Sequence, residues 1–382
     1  MKKKRVICAM SGGVDSSVAA ALLEKQGYDV IGIFIKLWSP SAKATGDKAE
    51  NICCSLEAAT AARAVANKLK IPFYVVNFAR EFKKAVVDYY VKEYENSRTP
   101  NPCVICNRDI KGELLLKKAA DFNADYLATG HYVRLKVENQ KLEISFESEP
   151  EGSSLRVEDR NQKLKEFYLY QGVDKNKDQS YFLWTLTQKQ LTKMLFPVGD
   201  LTKLEVRALA QKMGLPTAQR KESQGICFIP DRDVCGFLHR YGKKLTEPGK
   251  IVDLKGKILG EHFGLINYTI GQRERLGLGG PKAYYVVKLD SKANILIVGD
   301  EKDLYSRELI ADGLNWISKP DFSSKQIGAR IRYGHPIDNC AISQMSGNKI
   351  KVKFKKPQRA ITPGQSIVFY SQEKVLGGGI II

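Results

Sequence analysis

No apolar run in this chain approaches the roughly 18 residues a membrane-spanning helix needs, which sets a helical membrane protein aside. The start, Met1-Lys2-Lys3-Lys4-Arg5, is basic, but only five apolar residues follow it before the first glycines, too few for a signal-peptide core. A cytoplasmic protein is therefore the expectation. Internal repeats are absent as well. Acidic residues are scarce against basic ones, 42 to 61, leaving a net charge of +19. That balance favours a polyanionic partner such as nucleic acid, and the excess is clustered: between Lys319 and Ala360 ten Lys or Arg stand against two Asp. The eight cysteines, at 8, 53, 54, 103, 106, 227, 235 and 340, are too few and too scattered in a cytosolic chain to suggest a disulfide framework. They suggest redox, nucleophilic or metal chemistry instead. A structural zinc site is not apparent, because no second C-x-x-C or nearby His pair completes four ligands beside Cys103 and Cys106.

What is present begins with Ala9-Met10-Ser11-Gly12-Gly13-Val14-Asp15-Ser16-Ser17. Val6 to Met10 read as a buried strand, and Val18 to Leu23 open an Ala/Leu-rich helix. A strand–turn–helix of this kind gathers free backbone N–H groups and the positive end of a helix dipole at one point, so it holds an anion. Its glycines let the backbone close on a phosphate, and the hydroxyls of Ser11, Ser16 and Ser17 can add hydrogen bonds. The turn lacks the Gly-Lys-Ser/Thr ending of a Walker A loop, and it is not a G-x-G-x-x-G dinucleotide fingerprint. Its wording resembles the pyrophosphate loop of the ATP pyrophosphatase superfamily, whose members cut ATP between the α and β phosphates and leave AMP on a substrate oxygen.

With 382 residues, 43% hydrophobic and 27% charged, the chain reads as a globular protein of two or three domains. Strands over Asp29–Trp38, Pro72–Phe78 and Asp125–Tyr132 alternate with helices over Cys53–Lys70, Arg80–Asn96 and Arg108–Phe122. This pattern predicts an α/β, doubly wound parallel sheet whose ligand lies beyond the carboxyl ends of the strands. Residues 136–174 read as a surface hairpin or partly disordered insertion. From about Val234 the texture turns to short, glycine-rich segments, and the last ~75 residues read as strands divided by turns. The expected division is an adenylating domain at 1–235 with the cysteines, a small mixed central domain at 236–304, and a C-terminal β-barrel at 305–382. In Ile350 to Lys355 apolar residues alternate with lysine, so one face packs inward while three ammonium groups face solvent. That suits a phosphate-facing barrel and equally a plain solvated edge strand.

Thr99 to Arg108 is a proline-held loop carrying Cys103 and Cys106, and a helix is expected from about Arg108. A thiol just before a helix N-terminus has a lowered pKa. Taken with Thr129-Gly130-His131-Tyr132, Lys177 to Phe182, Gly225-Ile226-Cys227-Phe228-Ile229 and Gly271-Gln272-Arg273, these motifs resemble, along nearly the whole chain, the bacterial and mitochondrial tRNA-specific 2-thiouridylases.

The resemblance implies that ATP is held by Ala9, Met10, Ser11, Gly12, Gly13, Val14, Asp15 and Ser16, by Ile35 and by Gly130. It implies a wobble uridine of the tRNA anticodon arm beside Asn101, Pro102 and Cys103, with Cys106 as nucleophile and Cys227 as persulfide carrier. His131, Lys177, Asp178, Gln179, Arg332, Tyr333 and Gln365 correspond to the family's tRNA contacts. Further implications are a persulfide sulfur-donor protein, no DNA or membrane partner, and Mg²⁺ on the phosphates with Asp15 as its nearest organiser. Many family members carry aspartate where Cys103 stands. Cys103, Cys106 and Cys227 therefore also offer three ligands for a [4Fe-4S] cluster with one open iron site. Two readings compete with a thiouridylase: an ATP pyrophosphatase acting on a small molecule, and an RNA-binding module without catalysis.

Overall fold

The structure, a computed structural model, describes residues 3–40, 55–139, 165–222, 225–229, 232–279, 283–324 and 326–382. Its first part is built on parallel strands β1 (Arg5–Ala9), β2 (Asp29–Lys36), β3 (Phe73–Asn77) and β4 (Tyr126–Ala128), with Met194–Leu195 at the edge. The order is β3-β2-β1-β4 followed by 194–195, and every pairing is parallel. Alternation along β1 divides the core: Val6 and Cys8 enter one apolar cluster and Ile7 the other. Helices α1 (Val14–Lys25), α2 (Leu56–Leu69) and 203–212 cover the first face. The helix that begins at Pro102 covers the second. The expected doubly wound sheet is thus present, and its carboxyl edge collects Ala9, Ile35 and Gly130.

That second-face helix differs from expectation in a way that matters. It starts at Pro102, not near Arg108, because Asn101 caps it by accepting from the Cys103 N–H at 3.1 Å and Pro102 suits a first helical position. After one turn the winding loosens to a π-helix over Cys106–Leu115. Gly112 sits within it where a Cβ would come 2.9 Å from the Asn107 carbonyl oxygen and 3.0 Å from Leu186. Cys106 therefore lies inside the helix, past the turn over which a dipole acts strongly on a thiol. Cys103 occupies that end instead.

Residues 133–139 and 165–171 pair as an antiparallel hairpin, and Tyr170 pairs with Lys374 of the C-terminal sheet. The expected hairpin thus joins the barrel's sheet; residues 140–164 of the expected insertion lie outside the described residues. Strands 249–252, 258–262, 285–290 and 295–299 form a separate four-stranded sheet. Six strands, 305–316, 328–330, 338–344, 350–359, 366–371 and 374–381, form a closed barrel, because 305–316 pairs with both 350–359 and 374–381. In 350–359 Ile350, Val352 and Phe354 are buried while Lys351, Lys353 and Lys355 are exposed, as the alternation predicts. Two of those lysines pair with Glu308, so part of that charge is met within the barrel. No helix among the described residues is long and apolar enough to cross a membrane.

Candidate active site

At the carboxyl edge of the parallel sheet lies a cavity of about 310 Å³. Ala9, Met10, Ser11, Asp15 and Ser16 of the glycine turn line it, with Ile35 and Gly130-His131 from neighbouring strand ends. Pro102, Cys103 and Cys106 reach it from the proline-held helix, and Gly225-Ile226-Cys227-Phe228 from the distant loop. Gln179 completes the set drawn from sequence. Cys106 and Cys227, 121 positions apart, also pack beside one apolar cluster that includes Phe82, Val86 and Phe228. Both are half-buried, whereas Cys103 is exposed. Cys8 and Cys340 are excluded from thiolate chemistry, since burial pushes each thiol up to about 12.

Close backbone approaches shape the turn. Gly12 has φ +75°, and a Cβ there would lie 2.2 Å from the Ala58 carbonyl oxygen; a Cβ on Gly130 would lie 2.7 Å from the Ser16 nitrogen. No side chain caps α1 at Gly13, so its first N–H groups stay available to an anion. The serines are used differently from the expectation. Ser17 is fully buried and donates to the Gly13 carbonyl at 2.8 Å, and Ser16 donates to the same oxygen at 3.1 Å while accepting from the Ser11 N–H at 3.2 Å. They hold the turn's shape, leaving phosphate contacts to the backbone and Ser11.

Asp15 does not fit as a Mg²⁺ ligand here. Its Oδ1 and Oδ2 accept from Lys203 Nζ at 2.7 and 2.9 Å, and Oδ1 also accepts from the Tyr132 hydroxyl at 2.6 Å. Lys203 continues to Glu222 at 2.9 Å, and Lys177 pairs with the other Glu222 oxygen at 2.8 Å. Hydrogen bonding from Lys177, then from Lys203, holds the Glu222 carboxyl down at about 2. Arg220 adds a second tie, donating to the Gly12 carbonyl at 3.3 Å. The segment leading to Cys227 is thus fastened to the nucleotide turn. Lys203 and Glu222 escaped sequence reasoning: Lys203 sits inside the Thr202–Glu205 helix-capping box, and Glu222 stands in a charged run without visible periodicity.

Of the residues matched to tRNA contacts, Tyr333 is exposed and Lys177 half-buried, and the Tyr333 ring packs on Phe182 with centroids 4.5 Å apart. Asp178 is 1% exposed and accepts from Gln171, the Gly172 and Ser180 N–H groups and the Ser180 hydroxyl, with Arg330 at 3.4 Å. Its carboxylate therefore organises the fold, not a solvent-facing contact. Arg332 donates to the Thr362 hydroxyl at 3.0 Å, and buried Gln365 donates to the Thr99 carbonyl at 2.7 Å, tying the barrel to the proline-held loop. His131 is buried and its pKa is pushed well below the usual value, first by burial and then by Lys111. Asn101, Lys177, Asp178, Arg332, Tyr333 and Gln365 do not line the cavity. Cys53 and Cys54 lie outside the described residues, as do Ser223 and Gln224.

A family model described as "tRNA methyl transferase HUP domain" matches residues 4–231. Others described as "tRNA methyl transferase PRC-barrel domain" and "Aminomethyltransferase beta-barrel domain" match 236–300 and 306–381. The curated protein "tRNA-specific 2-thiouridylase MnmA 1" of Caldanaerobacter subterraneus subsp. tengcongensis is 47% identical over 379 residues, 99% of this chain and 97% of its own. The chain belongs to the tRNA-specific 2-thiouridylase family. Two further 2-thiouridylases named MnmA agree: that of Geotalea uraniireducens, 46% identical over all of this chain and 95% of its own, and that of Acetivibrio thermocellus, 44% identical over the whole of both. The parallel-sheet HUP domain, the PRC-barrel and the closed β-barrel are this 2-thiouridylase's three parts. Among the described residues no group of three His, Cys, Asp or Glu side chains is arranged to hold a metal ion. A cluster on Cys103, Cys106 and Cys227 finds no support in that geometry.

Proposed function

We propose that this protein makes 2-thiouridine at the wobble position of tRNA, at the expense of ATP and a persulfide. The C2 oxygen of the uridine attacks the α-phosphorus, the bond to the β-phosphate breaks, and pyrophosphate leaves into the glycine turn. AMP on that oxygen is a good leaving group, where the bare oxygen is a poor one. The terminal sulfur of a persulfide on Cys227, loaded by an external donor protein, attacks C2 and AMP departs. The Cys106 thiolate then attacks the Cys227 sulfur; the sulfur–sulfur bond breaks, C2 keeps its sulfur, and a Cys106–Cys227 disulfide forms. Mg²⁺ enters with the nucleotide's phosphates.

In this reading residues 1–235 adenylate and transfer sulfur, 236–304 connect, and 305–382 hold tRNA, in the cytoplasm. Asn101, Pro102 and Cys103 face the uridine, and Lys177, Gln179, His131, Arg332, Tyr333 and Gln365 serve the RNA, Gln365 through Thr99. The observation that carries the reading is the cavity shared by the glycine turn, Cys106 and Cys227. A small-molecule pyrophosphatase would leave both thiols and the basic barrel without a task. The test is incubation with ATP, a persulfide donor and unmodified tRNA. Wild type should yield the thionucleoside and Cys227→Ala none, whereas turnover of a small molecule without tRNA would sink the reading.

A further inference from the structure

Lys111 is the basic side chain that lines the cavity among the described residues. Its place there comes from the loosened winding. In an α-helix a residue five positions after Cys106 would turn away from it, but i→i+5 winding over 106–115 returns the fifth residue toward the same face. The ammonium donates to His131 Nε2 at 3.4 Å, and among the described residues no carboxylate lies within ion-pair distance of it. Lysine only donates, so Nε2 accepts, and the His131 proton is assigned to Nδ1, which faces the Thr129 hydroxyl at 2.7 Å. Lys203, also beside the glycine turn, offers the contrast: Asp15 and Glu222 already neutralise it. Facing a neutral ring in a largely apolar cavity, this ammonium is placed to pair with an anion that enters. Gly130, adjacent to His131, lies against the Asp15–Ser16 backbone, so Lys111 stands within reach of both the glycine turn and the thiols.

We propose that Lys111 is a catalytic residue whose ammonium holds the α-phosphate during its transfer to the base oxygen. This rests on the thiouridylase reading above. As the C2 oxygen bonds to phosphorus and the electron pair of the breaking bond leaves with pyrophosphate, charge gathers on the non-bridging α-oxygens beside Lys111 Nζ. The same contact receives the charge of AMP when sulfur expels it. Lysine gives up no proton in either step. His131, neutral and anchored by Thr129, aims the ammonium without competing for the anion.

The test compares wild type with Lys111→Met, which keeps the length of the apolar stem, and Lys111→Arg, which keeps the charge. Two readouts are taken: the rate of tRNA-dependent pyrophosphate release, and the affinities for AMP and for adenosine by calorimetry. Lys111→Met should slow release about 100-fold, the usual cost of one preorganised donor, with the KM for tRNA within about threefold of wild type. AMP should bind at least tenfold more weakly to it while adenosine binding is unchanged, and Lys111→Arg should recover most of both losses. A fall in the release rate alone also supports the proposal, as a contact made only in the transition state. If release rate and AMP affinity both stay within threefold of wild type, the proposal is overturned. If wild type releases no pyrophosphate with tRNA yet AMP binding still depends on Lys111, the phosphate site stands and the thiouridylase reading fails. If wild type is silent and AMP binding ignores Lys111, both fall.

Discussion

Replacing Lys203 by methionine isolates the ion network that fastens the Cys227 segment to the nucleotide turn. The side chain is 10% exposed and its partners Asp15 and Glu222 are 31% and 28% exposed, so the pairs are neither surface pairs nor fully dry. Breaking a buried pair costs about 3–5 kcal/mol because the remaining charge is stranded. Partial hydration of the two carboxylates, and the bonds Asp15 keeps with Tyr132 and Glu222 with Lys177, reduce this to about 2–3 kcal/mol. For a domain of the size matched by residues 4–231, each kcal/mol moves Tm by about 2–4 °C, so a drop of roughly 5–10 °C is expected. Denaturant unfolding of the full chain, followed by tryptophan fluorescence and by heat, measures it. A cycle with Glu222→Gln should show coupling of at least about 1 kcal/mol. A loss under about 0.5 kcal/mol, or strictly additive single variants, would refute the buried-network argument.

Other outcomes are equally direct. The Glu222 carboxyl is held at about 2 against an ordinary 4.5, so its contribution to stability is complete above pH 4.5 and disappears as pH falls toward 2; Lys177→Met should flatten the acid limb of a stability–pH curve across that window, and an unchanged limb would contradict the assignment. Gly130→Ala drives a methyl group against the backbone of Asp15 and Ser16 at 2.8 and 2.7 Å, where nothing flexible can yield; ATP affinity should fall at least tenfold in a nucleotide titration, and an unchanged affinity would show the turn to be soft. Gln365→Leu removes the hydrogen bond to the Thr99 carbonyl and should raise the KM for tRNA severalfold while ATP affinity stays level; equal effects on both substrates would place the barrel's influence elsewhere.

Much of this site was legible before any coordinates. Strand β1, the glycine turn and α1 are contiguous, so local pattern and turn chemistry suffice to read an anion-binding edge. The order of the motifs carried Cys106 and Cys227 with it. Local reading failed where packing overrode it. The strand 374–381 carries Gly377, Gly378 and Gly379, poor strand formers that are required because a Cβ on Gly378 would lie 2.7 Å from the Trp184 ring. Likewise nothing in Cys106 to Leu115 announces π-winding, within which Gly112 packs closely against Leu186 and accepts from Gln190, both distant in the chain.

What the sequence by itself determined is the chemistry available: a phosphate-holding turn written in adjacent residues, two thiols in recognisable motifs and a surplus of positive charge. Only the tertiary structure decided which charges are spent and which are free to act. Asp15, read as a metal organiser, is held by Lys203 from 188 residues away; Asp178, read as an RNA contact, is enclosed by the fold; and Lys111 is turned into the cavity. Ion pairing and burial act between groups brought together by packing, and separation along the chain carries no information about them.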